Sequence, residues 1–124
     1  MGQQHFKRCP GCGIWFTEDD IMTSPSVKPI GMAFMGVSIN QIFYFFQHTD
    51  LTCGSSFLIE ISKFTHLIEE SIPEKSLYAT KLCEGHCVDL HDLSECQTNC
   101  HNAPYRRYLL KMVKAKKHTF LYQL

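Results

Sequence analysis

No sign of charge dominates this chain. Its 12 basic and 12 acidic residues cancel, so no global field selects a nucleic acid as partner. Acidic residues are missing after Glu95, where Arg106, Arg107, Lys111, Lys114, Lys116 and Lys117 follow. Charge is missing again from Pro29 to Thr49, which holds no Asp, Glu, Lys or Arg. That gap invites a membrane-span reading. Ser38, Asn40, Gln41, Gln47 and His48 interrupt it, however, and buried strands are the better account. The stretch Met1 to Arg8 lacks the apolar run and cleavage site of a secretory signal, and Phe6 stands where a myristoylation signal needs Ser or Thr. Internal repeats and low-complexity tracts are lacking, and no Ser, His and Asp grouping stands out as a triad. These absences predict a cytoplasmic globular protein with no membrane span.

What the chain does have is soft ligands: seven cysteines and seven histidines in 124 residues. A chain this short buries only a modest core and benefits from a staple. Without export, cysteines more often bind metal or do redox chemistry than form stable disulfides. The odd count leaves at least one unpaired within the monomer. Cys9-Pro10-Gly11-Cys12-Gly13 is the stretch on which the rest turns. Two cysteines two residues apart, followed by glycine, form a tight turn whose thiolates reach one ion. The completing ligands are expected from His48-Thr49-Asp50-Leu51-Thr52-Cys53-Gly54, where glycine again follows cysteine. Cys9, Cys12, His48 and Cys53 make a set of three thiolates and one imidazole suited to tetrahedral zinc.

At residues 9–13 and 48–54 the pattern resembles the zinc-ribbon and rubredoxin-like knuckle proteins. That resemblance implies antiparallel strands bringing the two knuckles together. The departure is the second knuckle, where four residues separate His48 from Cys53 instead of the usual two; His5 or a C-terminal cysteine would be the substitute for His48. The alternatives are surface thiols at Cys9 and Cys12 with a core cysteine at Cys53, or a thioredoxin-like redox pair, which lacks its βαβ context.

The intervening chain reads as a small antiparallel sheet. Ile14-Trp15-Phe16 leaves the first knuckle as a short strand. Thr17 is the expected N-cap of a helix from Glu18 to Thr23, with the acidic first turn complementing the helix dipole. Ile30, Met32 and Phe34 alternate with smaller residues, and Gly36 marks a bulge or turn. Ile42 to Gln47 is a dense run of strand formers, expected to be central. Phe57, Ile59 and Ile61 alternate with Leu58, Glu60 and Ser62. Ser62 then reads as an N-cap, with Phe64, Leu67 and Ile68 at helical spacing through Glu70. His66 lies off that face and is read as solvated.

From Leu82 the composition changes. Cys83-Glu84-Gly85-His86-Cys87 and Cys96-Gln97-Thr98-Asn99-Cys100-His101 carry twin Cys-x3-Cys spacings. On short helices each pair would project from one face. Cys83, Cys87, Cys96 and Cys100 would then enclose a second zinc or an iron–sulfur cluster, with His86, His91 or His101 as alternative ligands. The twin spacing is also similar to that of the small mitochondrial import chaperones, which implies a hairpin stapled by Cys83–Cys100 and Cys87–Cys96. A third reading is haem attachment at Cys96, Cys100 and His101. Asn102-Ala103-Pro104 starts the clearest helix, with Tyr105, Tyr108, Leu109, Met112 and Val113 as one apolar stripe through residue 117. Thr119 to Leu124 adds an edge strand or frays.

The expected class is therefore α+β: a zinc-ribbon-like β-rich core over 1–72, a linker over 73–81, and a Cys-rich segment with a basic amphipathic helix over 82–124, packed as one domain. The function this supports is a non-catalytic zinc-binding regulatory or adaptor module. Its alternatives are a redox or iron–sulfur protein using the second cluster, a metal-dependent enzyme with an open coordination position, and a nucleic-acid-binding protein. The last would use Arg106, Arg107, Lys111 and Lys114 on the basic helix.

Overall fold

The computed structural model describes residues 5–36, 38–77, 80–88, 90 and 92–123. His91, one of the alternative ligands, lies outside the described residues, as do Met1 to Gln4 and Leu124. The architecture is mixed α+β, with two small antiparallel sheets and a long C-terminal helix.

Two short strands, β1 (Lys7–Arg8) and β2 (Trp15–Phe16), pair antiparallel around the Cys9–Gly13 turn. The first helix, α1 (Glu18–Thr23), starts as its sequence dictates. Thr17 Oγ1 accepts from the Asp20 N–H at 3.0 Å, and the Asp20 carboxylate accepts from the Thr17 N–H at 2.8 Å. This reciprocal box satisfies two otherwise orphaned donors.

The main sheet has the order β3–β4–β5, formed by β3 (Val27–Phe34), β4 (Ile42–His48) and β5 (Ser56–Glu60). On central β4 the period of two buries Ile42, Tyr44, Phe46 and His48 on one face. The histidine is thus delivered inward by the same alternation that builds the core. On β3 a bulge between Pro29 and Gly31 leaves Ile30 without a Cα partner. Pro29 has no N–H to give the ladder, and the extra residue flips the alternation beyond it. Val27, Pro29, Gly31 and Met32 are therefore buried, while Ile30 and Phe34 are only partly so. Gly36 lies in the bend past the end of β3, the turn alternative expected of it, and the bulge at Ile30 is a separate irregularity.

The segment after β5 is a 3-10 helix, Ile61–Leu67, rather than an α-helix reaching Glu70. Ser62 does not cap it. Its hydroxyl donates instead to the Glu60 carboxylate at 3.3 Å, and the start of the helix has no side-chain cap. Phe64 still points inward, against Phe6, Tyr44 and Phe46. His66 is exposed and bonds the Glu18 carboxylate at 2.8 Å.

The long helix α2 (Ala103–Gln123) takes in Thr119 to Gln123, which continue the helix instead of forming an edge strand. It lies on β3, with Tyr105, Leu109 and Met112 buried in the shared core. Each such side chain contributes roughly 1.5–3 kcal/mol by leaving water. Tyr44 Oη donates to the Tyr105 carbonyl at 2.6 Å, and Tyr105 Oη meets Thr65 Oγ1 at 2.7 Å. Lys116 occupies the next stripe position. Its ammonium donates to the Ser24 and Val27 carbonyls at 2.9 and 2.7 Å, and burial brings its pKa down to about 8. No helix among the described residues is long and apolar enough to cross a membrane.

Candidate metal centre

Cys9, Cys12, His48 and Cys53 meet in one place, although the first and last are far apart in sequence. Their donor atoms all lie within 4.8 Å of one another, and the group can hold a metal ion. Cys9 Sγ lies 3.6 Å from His48 Nδ1 and 3.5 Å from Cys53 Sγ, and Cys12 Sγ lies 3.6 Å from the same nitrogen. Cys9 and His48 are buried, at 0% and 4% exposure, Cys53 is half-buried and Cys12 faces solvent. His5 is not part of the group; its ring stacks on Trp15 with centroids 4.7 Å apart.

Local backbone chemistry builds both turns. In the first, the Gly13 N–H donates to the Cys9 carbonyl at 2.9 Å, and the Cys9 N–H donates to the Ile14 carbonyl at 2.8 Å. Gly13 has φ +78°, a left-handed conformation that an L side chain rarely adopts. The second turn explains the longer spacing between His48 and Cys53. Asp50 Oδ1 accepts from the Thr52 N–H at 2.9 Å and from Thr52 Oγ1 at 2.6 Å, and the Cys53 N–H returns to the Asp50 carbonyl at 3.0 Å. This Asx turn folds the four intervening residues back on themselves, so Cys53 still arrives beside His48. Asp50-x-Thr52 was the sequence signal for it. Ring packing fixes the histidine further: Phe16 meets it edge-on at 5.1 Å.

Gly11 is where the two turns touch. A Cβ on it would lie 2.6 Å from Ser55 Cβ and 3.0 Å from Cys53 Sγ. Ser55 is the residue that sequence reasoning missed. Its N–H donates to Cys53 Sγ at 3.5 Å. Hydrogen bonds from Ser55, then from His48 and Cys9, bring the Cys53 thiol down to about 6. Cys12 lies above the ordinary thiol value. The Ile14 N–H pulls it down, but desolvation and the Cys9 and Cys53 sulfurs outweigh that pull. The cluster therefore offers one thiolate readily and gathers the others around it.

The second cysteine set is arranged differently. Cys83, Cys87, Cys96 and Cys100 are not on two short helices: among the described residues there, only His86–Val88 forms a single 3-10 turn. Gly85, at φ +85°, breaks any helix through the first pair. All four cysteines nevertheless line one cavity, together with Leu77, Thr98, Asn102, Ala103 and Arg106. Their sulfurs surround this space without closing to the spacing of the first group. All seven cysteines are free thiols, so the stapled pairing Cys83–Cys100 and Cys87–Cys96 is not formed. Burial pushes the Cys87 thiol up to about 11, against the pull of Arg106. His86 faces carboxylates, at 2.9 Å from Asp92 and 3.5 Å from Glu84, and His101 Nδ1 meets Asn102 Oδ1 at 2.9 Å.

The four basic residues offered as a partner surface, Arg106, Arg107, Lys111 and Lys114, separate into two kinds. Arg106 is 1% exposed and donates to the Ser94 carbonyl at 2.6 Å and to the Asp92 carbonyl. Arg107 is half-buried, paired with Glu70 at 2.6 Å and bonded to the Cys96 carbonyl at 2.8 Å. Lys111 and Lys114 are exposed. Arg106 lies off the apolar stripe, yet it is the Cys-rich loop, not solvent, that covers it. No known protein family matches the chain, and no curated protein or solved structure shows a significant similarity to it.

Proposed function

We propose that the chain is a non-catalytic zinc-binding module of regulatory or adaptor type, with a structural ion at Cys9, Cys12, His48 and Cys53. The donor spacing carries this reading. A tetrahedral ion with zinc's bond lengths sets sulfur–nitrogen separations at about 3.6 Å and sulfur–sulfur separations at about 3.8 Å. The Cys9 and Cys12 sulfurs each lie 3.6 Å from the His48 nitrogen, and the Cys9–Cys53 sulfur pair is 3.5 Å apart. Four protein ligands fill a tetrahedron and leave no open position for substrate or water, which is the mark of a structural site and not a catalytic one. Three thiolates and an imidazole also suit zinc better than hard cations.

An adaptor role draws support from the rim of the centre. Ile14 and Trp15, which leave the first turn, and Leu51, on the second, are large apolar side chains left exposed beside the proposed ion. Zinc would hold these side chains in a defined arrangement for a protein partner. The basic helix offers less to a nucleic acid, because only Lys111 and Lys114 of its four candidate residues are free of internal roles.

Metal analysis of protein purified without a metal-binding tag tests the proposal. Zinc is expected, and Cys53→Ser should remove one equivalent while a conservative surface change such as Lys114→Gln removes none. Unchanged metal content in folded Cys53→Ser protein would refute the site.

A further inference from the structure

We propose that Cys83, Cys87, Cys96 and Cys100 hold a second zinc ion, in a four-thiolate site that anchors the irregular segment between the 3-10 helix and α2. The four side chains come from two loops and converge on one cavity of about 10 Å³. That is room for roughly one water-sized sphere, so the space suits a single ion and not a cluster of several irons and sulfides.

Two of the four sulfurs, those of Cys83 and Cys100, accept from backbone N–H groups, whereas burial disfavours the thiolate at Cys87. The N–H of Gly85, itself left-handed at φ +85°, donates to Cys83 Sγ at 3.4 Å. The first centre has the same bond to a cysteine sulfur from two residues on, Ser55 N–H to Cys53 Sγ at 3.5 Å, but there the left-handed glycine, Gly54 at φ +74°, lies between the two. Cys100 Sγ accepts two such bonds, from the Leu77 N–H at 3.1 Å and the Asn102 N–H at 3.5 Å. N–H groups aimed at sulfur stabilise the anion that a metal requires. Four thiolates around a divalent ion leave a net negative charge, and the buried Arg106 guanidinium lines the same cavity.

Glu84 ties the two loops together. Its carboxylate accepts from the Gln97 N–H at 2.9 Å and from Thr98 Oγ1 at 2.7 Å. Polar contacts hold the rest of the segment: Arg106 donates to the Ser94 and Asp92 carbonyls, and Arg107 to the Cys96 carbonyl. Apolar burial adds little: among the described residues its buried cluster is Cys96, Cys100 and Ala103, with Leu77 against them. A region with so small a core needs a staple, and its cysteines are free. Binding would draw the four sulfurs inward from their present spacing.

The test uses the full chain, stripped and reloaded with zinc or cobalt(II). The wild type should take up about two ions per chain, and Cys53→Ser and Cys96→Ser about one each. Cobalt–thiolate absorption should more than double when the second site fills, since seven thiolates then contribute in place of three. Alkylation of the wild type gives a readout that does not depend on Cys96→Ser folding. Zinc should protect Cys83, Cys87, Cys96 and Cys100, and a chelator should expose them. One ion per wild-type chain, equal alkylation with and without zinc, thiols that react only after reduction, or iron-type visible absorption would each overturn the second site. Loss of metal in Cys53→Ser but not in Cys96→Ser would overturn it while leaving the first site standing.

Discussion

Gly11 gives the sharpest test of how the two turns form one centre. Its missing Cβ lets the turns approach, since an added methyl would sit 2.6 Å from Ser55 Cβ and 3.0 Å from Cys53 Sγ. Carbon atoms in contact prefer about 3.5–4.0 Å, so Gly11→Ala must drive the turns apart by about 1 Å. Metal ligands tolerate displacements of only about 0.2 Å, so that separation exceeds what the coordination sphere can absorb. Disturbing a mere outer-shell partner typically lowers affinity about 10–100-fold, and moving the ligands themselves should cost at least that much. Competition against a chromophoric chelator measures the loss directly. Gly54→Ala is the matched control. It meets nothing within 4 Å, yet its φ of +74° strains an alanine, at roughly 1–2 kcal/mol. It should therefore lower the melting temperature while keeping the metal. If Gly11→Ala folds and binds zinc as tightly as the wild type, the close approach does not govern the centre.

A methyl at Gly31 would press on the Leu90 backbone, 3.0 Å from its carbonyl carbon. Gly31→Ala should cost about 1–3 kcal/mol as overpacking, and raise amide exchange around residues 80–100 before the rest of the sheet. Leu109→Ala, at a fully buried site between α2 and β3, should lower unfolding free energy by about 2–5 kcal/mol in a denaturant titration of the metal-loaded protein. Hydrogen bonding from Arg107 holds the Glu70 carboxyl below its ordinary 4.5. The pair's stabilisation is thus full above that value and lost as pH falls through the lowered folded one. Partial exposure limits it to about 1 kcal/mol, so melts of Glu70→Gln and wild type should differ at pH 7 and converge in acid.

Sequence made the first centre legible because its signals are local: paired cysteines, a following glycine, and a strand whose alternation ends on His48. Thr17 and Asp20 announced α1 for the same reason, and the Tyr105, Leu109 and Met112 spacing announced α2. Features set by distant partners were hidden. Nothing near Arg106 indicates that the Asp92 and Ser94 carbonyls will cover it, so it read as a surface charge. The bulge leaves Ile30 without a partner between Pro29, which faces Phe46, and Gly31, which faces Phe45, and that register depends on β4. Helical expectations for the Cys-x3-Cys segments gave too little weight to Gly85. Lys116 was within reach, since the stripe at 105, 109 and 112 arrives at it next, but a lysine there reads as polar until its carbonyl partners are known.

One residue links the last helix to the candidate metal centre. Val27 pairs across the sheet with His48, and its carbonyl receives the ammonium of Lys116. The final helix is thereby moored to the neighbour of the imidazole. Trimming the protein ahead of residue 116 would free that strand end, and the consequence would surface as slackened retention of whatever metal the four ligands hold.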